Sequence, residues 1–175
     1  TNEEKILEVI ILGSGSPLPH PERAGPATLV KVKDKNYLFD CGRGVLMRAA
    51  AVSVGAPMLD GLFLTHMHSD HTTDYNDVIT TRWIMSPKPN TLMVYGPEGV
   101  ELFTERTLLS LGQDIGYRLA HHADLNEGPR VVPKSFSGGE VLAEDGIRIT
   151  AESTDHNPVH PTLGFRIESD EKVIA

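Results

Sequence analysis

An α/β layered fold is what this sequence predicts, on three observations. Short apolar runs rich in branched and aromatic residues are bounded by Gly, Pro, Asn and Asp, as strands are. Between them lie segments with helical periodicity or strong helix formers. The two kinds follow one another as β-β-β-α-β-α-β-α and then more strands, the order of a layered α/β protein.

Residues 6–12 form an apolar run ending at Gly13-Ser14-Gly15-Ser16-Pro17, a buried strand running into a loop. Loop chemistry continues through Pro19, Pro21, Gly25 and Pro26. Residues 28–32 and 37–40 flank Lys33-Asp34-Lys35-Asn36 as a hairpin. Residues 44–54 are Ala-rich and read as a helix, and Leu62-Phe63-Leu64 as a short central strand. From Asp74 the period changes: Tyr75, Val78, Ile79, Arg82 and Trp83 share one helical face, and Ser86-Pro87-Lys88-Pro89-Asn90 stops that helix. A strand at 91–95, a turn at Gly96-Pro97 and a helix over 98–111 follow. Residues 112–130 read as polar and irregular. Strands recur around 130–136, 147–152 and 163–167. After a polar turn at Ser169-Asp170-Glu171, Lys172-Val173-Ile174-Ala175 reads as a strand just beginning. One domain over residues 1–175, as part of a longer protein, is the expectation.

The bulk properties exclude several classes. Hydrophobic residues make up 39% and charged residues 23%, ordinary for a globular chain. No apolar stretch reaches the length of a membrane span, so no membrane partner is expected. Thr1-Asn2-Glu3-Glu4-Lys5 has neither the apolar core of a signal peptide nor a basic leader. The chain begins at Thr, so a leader could have been removed beforehand; a cytoplasmic location is the expectation. The net charge is −8, and no dense Lys/Arg run marks a nucleic-acid footprint. A single cysteine, Cys41, leaves no intramolecular disulfide and reads as a buried structural thiol.

Chemistry concentrates in Thr65-His66-Met67-His68-Ser69-Asp70-His71. Three of the eight histidines and an aspartate fall within six positions. Imidazole and carboxylate suit zinc, manganese or iron. Residues two apart on an extended chain point the same way, so His66, His68 and Asp70 could converge. His71 has the other parity, so the chain must leave the extended state there, with Thr72, Thr73 and Asp74 supplying caps for the next helix.

His66-x-His68-x-Asp70-His71 resembles the HxHxDH motif of the metallo-β-lactamase superfamily. The resemblance extends to Leu12-Gly13-Ser14-Gly15-Ser16-Pro17, Arg23-Ala24-Gly25-Pro26, Leu38-Phe39-Asp40-Cys41-Gly42, Tyr95-Gly96-Pro97 and Leu163-Gly164-Phe165-Arg166, which are similar to the ribonuclease Z branch. It implies a four-layer αββα sandwich, incomplete at the C-terminus. It also implies two divalent ions, zinc above all, with manganese or iron as alternatives. His66, His68 and His156 would hold one ion, and Asp70 and His71 the other. The family's bridging aspartate, in a Gly-Asp-Thr turn, and a last histidine are expected beyond Ala175. A homodimer is expected from the same resemblance.

The reaction so implied is hydrolysis of a phosphodiester by a metal-bridging hydroxide, with Asp70 orienting and deprotonating the attacking water. Arylsulfatase or lactonase chemistry on the same fold is the alternative, and a non-catalytic metal-binding module a third. The substrate is a phosphoester or related ester. Transfer RNA, which ribonuclease Z trims at its 3′ end, is not favoured: the stretch from Gly164-Phe165-Arg166 to Lys172-Val173-Ile174-Ala175 leaves no room for the long substrate arm of that enzyme, and no basic face replaces it.

Other polar residues have two readings each. Gly13 to Ser16 is a turn, or a set of amides for an anion. Arg23 is solvated, or grips an oxyanion. His121 and His122, being adjacent, fit a loop better than a shared site. His160 lies in a Pro-bounded loop near His156. Asp40 and Asp155 could orient ligand imidazoles or simply end strands.

Overall fold

The structure is a computed structural model that describes residues 7–170 and 172–175. The leader reading at residues 1–5, Ile6 of the first strand and Glu171 of the last turn lie outside the described residues.

Two sheets carry the molecule. The first has six strands in sequence order: β1 (Leu7–Gly13), β2 (Ala27–Val32), β3 (Lys35–Phe39), β4 (Gly61–Phe63), β5 (Leu92–Gly96) and β6 (Val131–Ser135). β1, β2 and β3 pair antiparallel, whereas β3 to β6 run parallel. Parallel neighbours need crossovers, and α1 (Val45–Ala51), α2 (Ser69–Thr72), α3 (Tyr75–Met85), α4 (Val100–Ser110) and α5 (Gly112–His121) lie in those connections. The second sheet is antiparallel, in the order β10 (Lys172–Ile174), β9 (Leu163–Ser169), β8 (Ile147–Ser153), β7 (Gly139–Glu144).

Alternation along the strands sorts side chains into two cores. Leu29, Leu38, Leu62 and Val94 pack with Val45, Ala49, Tyr75, Val78, Ile79 and Val100 of the helical layer. Val30, Val32, Tyr37, Phe39, Phe63 and Tyr95 face Ile147, Ile149 and Ile167 of the second sheet. Phe63 sits at the centre of that layer, stacked at 4.7 Å on both Phe39 and Tyr95, with Phe165 edge-on at 5.4 Å. Full burial of such side chains is worth about 1.5–3 kcal/mol each. The outer face of the second sheet carries Arg148, Glu152, Arg166 and Glu168. Helix, sheet, sheet is thus the layering of the described residues: three of the four layers expected.

α3 buries Tyr75, Val78, Ile79, Arg82 and Trp83, the face read from the sequence. Arg82 is the exception on that apolar face. Its five N–H groups are spent on the carbonyls of Ala56, Pro57, Leu59, Asn90 and Thr91 and on Asn90 Oδ1, at 2.6–3.4 Å. No carboxylate accepts from it in this set; burial lowers its pKa, and the negative Asp60 works against that.

Three expectations need correction. Residues 112–121 are helical, not irregular. Leu111, Asp114, Ile115, Arg118 and Leu119 are its part-buried residues, at helical spacing, and Arg118 clamps Asp114 at 2.9 Å across one turn. Gly112 and Gly116 masked that period. β7 was also missed: it opens on Gly139, directly after Gly138, and is half-exposed, so its alternation is weak. The third concerns the metal-motif segment, taken up below. No helix among the described residues is long and apolar enough to cross a membrane.

Candidate metal centre

The parallel pair β3 and β4 delivers two chain segments side by side. Asp40 leaves β3 with its N–H on Phe63 O at 2.7 Å, and its φ of 59° turns the chain sharply at the sheet edge. Cys41 N–H then donates to His71 O at 2.8 Å, and Asp74 N–H to Cys41 O at 2.9 Å. The segment after β3 is therefore stitched to the segment after β4 by backbone bonds. Cys41 itself is fully buried, and burial, with the charges of Asp40 and Asp74, pushes its thiol pKa up. That is the structural thiol the sequence predicts.

Glycines permit this close approach. A Cβ on Gly13 would lie 1.9 Å from Gly25 O, one on Gly25 2.6 Å from Arg43 N, and one on Gly42 2.6 Å from Asp70 O. Gly15 N–H donates to Ala24 O at 2.8 Å. The Gly13 to Ser16 turn thus packs backbone on backbone, which accounts for its glycines without an anion.

The motif itself leaves the extended state earlier than predicted. His68 is the extended residue at the helix start (φ −62°, ψ 142°), and α2 begins at Ser69 rather than at His71. This one-turn helix redirects Asp70. Instead of converging with His66 and His68, its carboxylate lies 3.9 Å from His71 Nε2. Asp74 also differs from expectation. It makes no side-chain cap on α3; its carboxylate accepts the Gly44 N–H at 2.6 Å at the head of α1.

Three imidazoles meet. The ligand-capable atoms of His66, His68 and His156 lie within 4.8 Å of one another. His66 Nε2 and His68 Nδ1 are 3.0 Å apart, and the His156 ring centroid is 5.0 Å from that of His66. His156 arrives from the loop between β8 and β9. Thr154 N–H donates to Thr162 O at 2.9 Å, and Leu163 N–H to Thr65 O at 2.8 Å, fixing the loop's base beside the motif. The His71 ring lies 4.2 Å from that of His66, so the Asp70–His71 pair adjoins the three-histidine group.

Asp40 underlies both. Its carboxylate accepts the Thr65 N–H at 2.8 Å and the Thr65 hydroxyl at 2.9 Å, and lies 2.7 Å from His71 Nδ1. The Thr65 hydroxyl is also 2.8 Å from His66 Nδ1. Of the two readings open for Asp40, the contact with an imidazole is the one found. Asp155 instead accepts the Asn157 N–H at 3.1 Å within its own loop.

Electrostatics separates buried His66 from part-buried His71. Burial, the charges of His71, His68 and His156, and only a partial offset from Asp40 push His66 down to about 4. At His71 burial also opposes charge, but the Asp40 hydrogen bond and charge, with Asp70, raise its pKa above the usual value. Imidazoles converging beside a carboxylate are a donor set that fits a divalent transition ion.

The remaining candidates lie elsewhere or do other work. His121 and His122 are exposed at the end of α5, edge-on to each other at 5.3 Å. His160 is exposed in the same loop as His156 and is not part of the three-histidine group. Arg23 is exposed, its N–H on His20 O at 3.3 Å. Thr65 went unnoticed in the sequence as a site residue; its place directly before the first histidine and two residues past a strand was the available signal.

Known proteins share this chain's sequence and fold. Ribonuclease Z of Mycobacterium bovis (strain BCG / Pasteur 1173P2) is 50% identical over 167 residues, covering 94% of this chain and 60% of the relative. Ribonuclease Z of Mycobacterium avium (strain 104) is 52% identical over 165 residues, covering 93% and 59%. The chain therefore spans about 60% of the length of these relatives. Human tRNase Z, short form, superposes with a TM-score of 0.72 at 20% identity, over 93% of this chain and 64% of that one. The metallo-beta-lactamase fold protein YhfI of Bacillus subtilis gives 0.71 at 23% identity, over 95% and 59%. The family model described as the metallo-beta-lactamase superfamily matches residues 20–172, and the chain belongs to that superfamily.

Proposed function

We propose that this protein is a metal-dependent phosphodiesterase of the ribonuclease Z type, and that its substrate is RNA. The observation that carries the reading is the meeting of His66, His68 and His156 within 4.8 Å beside the Asp70–His71 pair. Relatives named ribonuclease Z at 50% and 52% identity support the choice of phosphodiester over sulfate or lactone. They also move the substrate from an unspecified phosphoester towards RNA. Ser169 pairs with Lys172, which leaves no room for a long arm between β9 and β10, yet those relatives align across 93–94% of the chain.

In this reading His66, His68 and His156 hold one divalent ion, and Asp70 and His71 hold the second. Ions so held supply Lewis acidity and lower the pKa of water, as metal sites of this kind do. The chain's own residues do the rest. His66, neutral down to about pH 4, keeps a lone pair available at physiological pH. Asp70, only 9% exposed and 3.9 Å from His71 Nε2, is the carboxylate that would orient and deprotonate the attacking water. His68 and His156, both exposed, line the solvent side where a substrate would enter. Zinc, a cytoplasmic location and a homodimer are part of the same reading, and metal analysis and sedimentation check the first and the last.

Purified protein, with zinc or manganese and with chelator, is to be assayed on a transfer-RNA precursor bearing a 3′ trailer, an aryl phosphodiester, an aryl sulfate and a lactone. Metal-dependent cleavage of the RNA and the phosphodiester is expected. Sulfate or lactone turnover without phosphodiester turnover overturns the proposal in favour of the alternative esters. Metal binding with no hydrolysis of any of them makes this a binding module.

A further inference from the structure

Donor counting at Asp40 goes one step past the ligand set, and it rests on the metal-centre reading above. A carboxylate only accepts, and a hydroxyl has one proton to give. Asp40 accepts from Thr65 N–H on one oxygen; its other oxygen is 2.9 Å from the Thr65 hydroxyl and 2.7 Å from His71 Nδ1. The Thr65 proton therefore goes to Asp40, and the Thr65 oxygen is left as an acceptor for His66 Nδ1 at 2.8 Å. Both His66 and His71 must then carry their proton on Nδ1. In each ring Nε2 remains, next to His68 Nδ1 at 3.0 Å for His66 and next to Asp70 at 3.9 Å for His71. His68, which has no such tether, is left as the Nδ1–H donor to His66.

We infer that Asp40 is a positioning residue for both halves of the centre: its carboxylate fixes the Nδ1–H tautomer of His71 directly and that of His66 through the Thr65 hydroxyl. One buried anion, held in a left-handed turn with φ 59°, thus sets two lone pairs at once. The two halves cannot be tuned separately from this side. A change at Asp40 disturbs both, whereas a change at Thr65 disturbs His66 alone.

Imidazole nitrogen NMR reads tautomers directly, with no need for activity. The whole protein is to be compared, metal-free and after zinc addition, with Asp40→Asn, Thr65→Val and Thr65→Ser. In the metal-free wild type, His66 and His71 are expected as Nδ1–H tautomers once each ring is neutral. Zinc should remove the Nδ1 proton of His68 and leave the other two in place. Thr65→Val should release the His66 tautomer and spare His71; Thr65→Ser should restore it. Asp40→Asn, whose amide cannot accept every donor, should disturb both His71 and His66 and weaken zinc binding about 10–100-fold, the usual effect of losing a ligand's outer partner; disturbance of one ring alone counts against a shared anchor. Nε2–H tautomers in the wild type, or a Thr65→Val protein with an unchanged His66, overturn the inference. A protein with the expected tautomers that cleaves no ester leaves the relay standing and removes the proposed function. An active enzyme with the wrong tautomers does the reverse.

Discussion

Two buried charges sit at opposite ends of the parallel strands and are satisfied in opposite ways. Arg82 lies at the N-terminal ends of β4 and β5, where every N–H ends on a carbonyl or amide oxygen. Asp40 lies at the C-terminal ends of β3 and β4, where its bonds run to Thr65 and the His71 imidazole, and through the Thr65 hydroxyl to His66. The first network closes on itself, and so builds scaffold. The second stops at ring nitrogens that still have a lone pair to give. A polar cluster becomes a site when its bonds end on groups that can trade them for a metal; no buried side-chain nitrogen or oxygen among the described residues, the centre's included, lacks a hydrogen-bond partner.

The sharpest break of that comparison is Arg82→Met. It takes their donor from the Leu59 and Asn90 carbonyls and from Asn90 Oδ1 and should cost about 3–5 kcal/mol in chemical unfolding, the scale for removing one partner of a buried charged network. Zinc affinity of the folded fraction should stay within error of the wild type. His68→Ala should behave in mirror image. Since metal Lewis acidity is worth several kcal/mol, the proposed hydrolysis should drop about 10²–10³-fold or more, with the unfolding midpoint of the metal-free protein nearly unmoved.

pH separates the two imidazoles of the Asp40 network. His66 in the folded protein titrates near 4, below its unfolded value, so its share of stability is present above about 6.5 and is lost as pH falls towards 4. His71 is raised, so its share is present below the unfolded value and is lost as pH rises through the folded one. Ring-proton NMR on metal-free protein should show His66 titrating well below His71; the reverse order would contradict the burial and contacts described.

Smaller effects test the scaffold alone. Gly13→Ala, whose methyl would fall 1.9 Å from Gly25 O, should destabilise by about 1–3 kcal/mol, as overpacking does. Gly116→Ala meets nothing within 4 Å in the helical α5 and should stabilise by about 0.5–1 kcal/mol, read as a rise in Tm.

Much of this was legible in the sequence, where one physical signal dominated. The α3 face could be read because five residues at one helical spacing are all buried. The hairpin of β2 and β3 followed from a polar turn between apolar runs. α5 escaped because glycine lowers helix propensity twice in its length and no residue of it is fully buried. Asp70 was given the wrong direction because strand parity was carried past the point where α2 begins. His156 lies 85 positions beyond His71; no local spacing links it to the motif, and only the resemblance brought it into the set. Asp40 could be nominated but not decided, since a strand-end aspartate looks the same whether it meets water or an imidazole.

The alternation in the glycine-rich loops has a practical side. Gly13, Gly15, Gly25 and Gly42 press inward with no room for a side chain, while Ser14, Ser16 and Arg43 between or beside them are exposed. The floor beneath the centre is therefore written in backbone, and its outward positions carry little of its shape. A library randomised at Ser14, Ser16 and Arg43 should therefore stay folded, so long as Gly13, Gly15, Gly25 and Gly42 are left alone.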